Sequence, residues 1–170
     1  MAALAVDDVL PFADWPTAGR SALAILHRTV GLDVWMLTQV LGDEQVVLHA
    51  HPADLVPPGT AVPWQRSFCR KMVTGEAPRV ATVAAAVPAY RDVMAGQPMR
   101  VAAYLGVPLT RRDGTVFGTV CGISSRAQPL SLARHQPLVE FVGRVLSSLL
   151  PHEEPAGPGA EGVGAALPAC

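Results

Sequence analysis

Cys69 and Cys121 are the residues of this chain with the most reactive side chains. A thiolate is a nucleophile, and two thiols brought together form a reversible switch or a redox centre, given proximity and access. With Cys170 they make a total of three, an odd number with no tight spacing, so neither a disulfide framework nor a zinc motif follows. Cysteine is also among the most buried residue types, so burial as a small apolar side chain is the competing expectation. His49 and His51 stand two apart and would project from one side of a strand, as a pair of metal or haem ligands could. No acidic or cysteine partner adjoins them and Pro52 follows, so no metal site is expected. His27 and His135 read as surface residues. A nucleophile elbow and a glycine-rich phosphate loop are both absent, so no catalytic residue is assigned.

The composition sets the frame that must position these groups. At 170 residues, one domain is the natural expectation. Half of the residues are hydrophobic and 16% are charged, which excludes a wholly disordered chain. A net charge of −1 removes the basic footprint on which nucleic-acid binding depends. The longest apolar runs, Val80–Ala89 and Val101–Leu109, are too short and proline-broken to span a membrane. Asp7 and Asp8 stand where a secretory signal would carry Lys or Arg. The expectation is a cytoplasmic protein with neither nucleic-acid nor membrane partner. Residues 1–15 read as a leader, 16–150 as one domain, and 151–170 as a disordered Pro/Gly/Ala-rich tail that holds His152.

Within the domain, Pro16 opens an apolar helical stripe through Ala22, Leu26 and Val30, and Gly31 supplies its stop. Val34–Val40 and Gln45–His51 flank Gly42-Asp43 as a hairpin. Trp64, Phe68 and Met72 recur at helical spacing over Pro63–Thr74, before Gly75. Arg79–Val83 reads as a short strand and 84–100 as an irregular or briefly helical connection. Ala102–Leu109 and Thr115–Ile123 flank Asp113-Gly114, the strongest hairpin signal in the chain, with Arg111-Arg112 at its solvated tip. Leu138 to Leu149 form the stripe of a terminal helix closed by Pro151. Hairpins without βαβ repetition predict an α+β fold with a largely antiparallel sheet.

Strand alternation then sorts the faces. Taking Asp113-Gly114 as a two-residue turn, Leu105, Val107, Leu109, Val116 and Val120 share an apolar face suited to the terminal helices. Tyr104, Phe117, Thr119 and Cys121 fall on the opposite, mixed face. The first hairpin divides likewise: Trp35, Leu37, Val46 and Leu48 on one side, Met36, Thr38, Val47, His49 and His51 on the other. A mixed face beneath the middle helix and the 84–100 connection would line a small-molecule pocket, because specificity there comes from sparse polar groups on an apolar wall. Its expected wall is Trp64, Phe68, Tyr104, Thr119 and Cys121, with Met36 and His49.

Ser67-Phe68-Cys69, Gly75-Glu76-Ala77-Pro78, Tyr104-Leu105-Gly106-Val107-Pro108-Leu109, Asp113-Gly114 and Gly118-Thr119-Val120-Cys121 follow one another in an order that resembles a bacterial GAF domain. The resemblance covers roughly residues 16 to 150. It implies a central antiparallel sheet with terminal helices on one face and a helix- and loop-covered ligand pocket on the other. It also implies a regulatory module that binds a small molecule or cofactor, often dimeric through its terminal helices. Ser124-Ser125 and Thr82-Val83-Ala84 stand where similar domains often carry acidic residues, so no particular ligand or cofactor is carried over. The leading expectation is a small-molecule sensor acting in signal transduction through a homodimer or a separate output protein. Two alternatives stand beside it. Free methionine sulfoxide reductases share the fold and use clustered cysteines, which makes Cys69 and Cys121 redox candidates. A ligandless dimerisation module, pairing through the Leu138–Leu149 stripe, is the other.

Overall fold

The computed structural model describes residues 10–151. The first nine residues of the expected leader and the tail from His152 to Cys170 lie outside the described residues.

Helix α1 (Trp15–Val30) starts one residue earlier than the proline suggests. Asp14 is its N-cap, accepting from the Thr17 amide at 2.7 Å, and Gly31 closes it at φ 79 in the left-handed region. The hairpin β1 (Val34–Leu41) and β2 (Glu44–His51) follows, then a short β3 (Ala61–Pro63). Helix α2 (Phe68–Val73), β4 (Val80–Ala81) and the one-turn α3 (Pro88–Arg91) lead to the second hairpin, β5 (Ala103–Thr110) and β6 (Val116–Ser124). Helix α4 (Gln136–Ser148) ends the domain. The strands form one six-stranded sheet in the order β3-β2-β1-β6-β5-β4, every pair antiparallel. The fold is therefore α+β, as the hairpin signals predict.

Two apolar layers sandwich the sheet. On one face α1 and α4 bury Leu23, Leu26, Val139 and Leu146 against Trp35, Leu37, Leu105, Val107 and Val120. The Trp15 indole donates to the Leu146 carbonyl at 2.8 Å, tying the start of α1 to the end of α4. On the other face α2, α3 and the 84–100 connection cover Met36, Val47, Tyr104, Cys121 and Ile123.

Four expectations need correction. The run Pro63–Thr74 is not one helix: a 3-10 turn at Trp64–Arg66 gives way to extended backbone at Ser67, which begins α2 afresh. Its hydroxyl accepts from the Arg70 amide at 3.0 Å and donates to the Trp64 carbonyl at 2.9 Å, so the serine serves both pieces. Pro63, expected to open that helix, instead ends the edge strand β3 (Ala61–Pro63).

The third correction concerns His49 and His51. The β1–β2 ladder shifts register between Leu37 and Thr38: Leu37 pairs His49 whereas Thr38 pairs Val47, leaving Leu48 as an extra residue. One extra residue reverses the facing of everything beyond it. His49 and His51 therefore lie on the α1 face with Leu37 and Trp35, and the His51 ring sits 5.1 Å from that of His27 in α1. The fourth is Phe117. The backbone closes Arg111 against Thr115 around a longer loop with Gly114 at φ 84, and the ladder shifts between Leu109 and Thr110. Phe117 becomes the extra residue and packs edge-on against Trp15, 5.4 Å away, on the helix side.

Candidate functional site

The antiparallel pairing of β1 with β6 sets Thr38 opposite Thr119 and Met36 opposite Cys121, and β5 sets Gly106 opposite Cys121. Side chains of one face thus converge at the centre of the sheet. Gly106 is required there. A methyl group at that position would run into the Tyr104 hydroxyl and come within 3.1 Å of the Cys121 Cβ. The bare backbone lets the Tyr104 ring fold back along its own strand, and its hydroxyl donates to Cys69 Sγ at 3.4 Å.

Helix α2 supplies Phe68 and Cys69 from above. Phe68 stacks on Tyr90 at 4.7 Å and tilts against Tyr104 at 5.7 Å, while Tyr90 and Tyr104 lie 5.2 Å apart. The Tyr90 hydroxyl donates to the Pro78 carbonyl. This three-ring cluster clamps α2 and α3 onto β5 and so fixes where Cys69 stands.

A polar network runs under the cover. Gln45 Nε2 donates to Thr38 Oγ1 at 2.9 Å and reaches Thr119 Oγ1 at 3.3 Å. The two threonine hydroxyls lie 2.7 Å apart, Thr119 Oγ1 is 3.1 Å from Cys69 Sγ, and Cys121 Sγ lies 3.9 Å from the same Thr119 oxygen. Burial would push the Cys69 thiol up, but hydrogen bonds from Cys121, Thr119, Tyr104 and Gln45 outweigh it and bring it below the ordinary thiol value. The hydrogen bond to Cys69, burial, and the charge on Cys69 together push Cys121 up. Burial and the neighbouring sulfurs raise both tyrosines. The two thiols are free and buried.

Above this floor lies a cavity of about 60 Å³, walled by Met36, Val47, Val56, Val62, Phe68, Met99, Val101 and Ile123. Its polar edge is Thr38, Gln45, Thr60, Cys69, Gln97, Tyr104 and Cys121, and Pro98 completes the lining. Neither an acidic nor a basic side chain is among them. Gln45 is only 5% exposed, and its Nε2 makes both of its bonds to the threonine hydroxyls.

Of the residues expected to line a pocket, the fold brings Met36, Phe68, Tyr104 and Cys121 to this cavity and adds Cys69. Thr119 lies fully buried beneath the lining, holding the sulfurs. Trp64 packs half-buried against the outside of the same cluster. His49 is on the other side of the sheet, as its register requires. The sequence reading passed over Gln45, although it shares the parity of Val47, and Tyr90, which the irregular 84–100 segment concealed. Among the described residues no group of three His, Cys, Asp or Glu side chains could hold a metal ion, and no helix is long and apolar enough to cross a membrane.

Comparison with known proteins gives a consistent result. The family model for the GAF domain matches residues 14–150. No curated protein matches the chain. Among solved structures, the GAF domain of a phosphoenolpyruvate-protein phosphotransferase from Acinetobacter is similar with TM-score 0.67 at 14% identity, covering 85% of this chain and 86% of that one. A fragment of a methyl-accepting chemotaxis protein has TM-score 0.62 at 18% identity, covering 80% and 88%. A free methionine-R-sulfoxide reductase from Neisseria meningitidis, in complex with its substrate, has TM-score 0.61 at 19% identity, covering 84% and 81%. At these identities the likeness is one of fold.

Proposed function

The chain belongs to the GAF domain family, and from that premise we infer that it is a sensory module holding one compact, uncharged molecule between its sheet and the α2–α3 cover. The observation that carries this is the cavity lining: apolar walls, a cluster of buried hydrogen-bonding groups, and no acidic or basic side chain. An ionised ligand would leave water with no acidic or basic side chain in the lining to meet it, a cost of several kcal/mol even after relaxation. A neutral ligand bearing one donor can meet Gln45 Oε1, which takes part in neither of the bonds to the threonine hydroxyls. Size acts in the same direction. A space of about 60 Å³ takes roughly four waters, or a ligand of a few heavy atoms, so a macrocycle or nucleotide would have to displace the walls.

The same lining weighs against the reductase alternative. Free methionine sulfoxide is a zwitterion, and nothing in the lining offers a counter-charge to its carboxylate. The sensory reading draws support from the kind of protein in which this fold occurs, a methyl-accepting chemotaxis protein among them.

The expected partner is a second copy of the chain. Ile25, Phe141, Val145 and Leu149 are exposed along α1 and α4, with Phe141 at 64%. Beside them runs a groove floored by Ala18, Ser21 and Ala22. One patch thus carries both a protruding ring and an apolar slot, which is the self-complementarity that a two-fold interface needs. Val120 and Gly122 of β6 face these helices while Thr119 and Cys121 face the cavity side, so one strand touches both sites.

Native mass spectrometry and thermal unfolding test the ligand class. Small neutral amides or alcohols are expected to raise Tm by several degrees at saturation. Their carboxylate or ammonium counterparts are expected to leave it unchanged, and Gln45→Leu to abolish the shift. Equal stabilisation by charged and neutral members of one series would overturn the reading.

A further inference from the structure

The polar cluster converges on one sulfur. Gln45 Nε2 can only donate, and it points at Thr38 Oγ1. The Thr38 and Thr119 hydroxyls lie 2.7 Å apart, and the same Nε2 reaches Thr119 Oγ1 at 3.3 Å. The Thr119 hydroxyl donates to Cys69 Sγ at 3.1 Å. Tyr104 donates to the same sulfur from the other side. Two hydroxyls and the adjoining Cys121 thiol converge on Cys69, while Cys121 receives no comparable set. A sulfur at the end of converging donors satisfies them best as a thiolate. Both sulfurs line the cavity, whose apolar walls and small volume admit a neutral molecule little larger than water.

We propose that Cys69 and Cys121 form a peroxide-reactive pair, with Cys69 as the attacking sulfur and Cys121 as the resolving one. The Cys69 thiolate attacks one oxygen of hydrogen peroxide. The S–O bond forms, the O–O bond breaks, and hydroxide leaves, taking a proton to become water. The Cys121 thiol then attacks the Cys69 sulfur. The S–S bond forms, the S–O bond breaks, and the departing hydroxide takes the Cys121 proton as a second water. Two thiols lose two electrons and one peroxide gains them, once per chain. The product ties α2 to β6 across the cavity floor. Thr119 and Tyr104 are positioning residues, because they act through the sulfur and need not touch the oxidant. This chemistry requires peroxide to enter but no other ligand, so it stands or falls separately from the sensory reading.

The test uses the full chain, exposed to hydrogen peroxide, alkylated after unfolding and mapped by peptide mass spectrometry. The expected product is a cross-link between the Cys69 and Cys121 peptides with the loss of two hydrogens. Cys121→Ser is expected to stop at a sulfenic acid on Cys69, trapped by dimedone, and Cys69→Ser to leave Cys121 reduced. Thr119→Val and Tyr104→Phe are each expected to slow Cys69 oxidation about tenfold, as loss of one hydrogen bond to a charged sulfur implies. Urea-unfolded chain should show no preference for Cys69. The proposal is overturned if folded wild-type chain keeps both thiols alkylatable at peroxide levels that oxidise the unfolded chain, or if Cys69 oxidises without ever joining Cys121. The wild-type map decides this even if a variant fails to fold.

Discussion

Tyr104 lies over Gly106, two residues along its own strand, and this is why its hydroxyl reaches Cys69. The bare backbone of one residue thus sets the position of another's polar tip, and through it the surroundings of a thiol.

Gly106→Ala is expected to destabilise the domain by about 1–3 kcal/mol, because the added methyl must push the tyrosine or the opposing Cys121 aside. The overlap falls on the Tyr104 hydroxyl and the carbon that bears it. Tyr104→Phe in the same chain should therefore recover part of the loss. Denaturant unfolding of the two single variants and the double variant measures the coupling; simple additivity would show that the two positions do not compete for space.

His49 belongs to the α1 face, and its pKa is lowered first by burial and then by Arg20. A histidine whose folded pKa lies below its ordinary value of 6.5 favours folding while neutral. Its contribution is present above 6.5 and is lost as pH falls through the lower folded value. His49→Gln should flatten the acid limb of the stability curve below pH 6.5 and leave thermal shifts by cavity ligands unchanged. An abolished ligand response in that variant would return His49 to the cavity.

Glu76 receives hydrogen bonds from Lys71 and Thr74, with Arg70 adding a further one, and its pKa falls to about 2. The carboxylate's contribution is complete above its ordinary 4.5 and disappears as pH drops toward 2. Glu76→Gln is expected to lose a little stability at neutral pH, less so in high salt, since the group is solvated. Stability measured from pH 5 to pH 2 should show a shallower decline for the variant than for the parent.

Phe141→Glu places a charge at the centre of the exposed α1–α4 patch. It should turn a concentration-dependent dimer into a monomer while barely changing the unfolding midpoint of the monomer. Light scattering across a concentration series reads both chains. A wild-type chain that stays monomeric throughout would remove the second copy as the partner.

Much of this architecture was legible in the sequence. The Asp113-Gly114 turn, the Gly31 stop and the alternation along Tyr104–Leu109 are local signals, and the sheet with helices on one face follows from them. The same alternation put Met36, Tyr104 and Cys121 on one side of the sheet. What failed was parity beyond the two bulges. Leu48 and Phe117 are accommodated as extra residues because α1 offers each an apolar surface, and no residue type near them announces it. Gln45 carried a usable signal, its parity with Val47, whereas Tyr90 sits in a segment without periodicity and is placed by ring packing alone.

By itself the sequence determined the two hairpins, the terminal helices and the side of the sheet that would be mixed, since propensity, turn chemistry and alternation act over a few residues. Only the tertiary structure decided that His49 leaves the cavity face and that Thr119 and Tyr104 both direct their protons toward Cys69. The reason is physical: register and hydrogen-bond direction are properties of contacts between β1, β2, β5, β6 and α2, and such contacts exist only once the chain has closed.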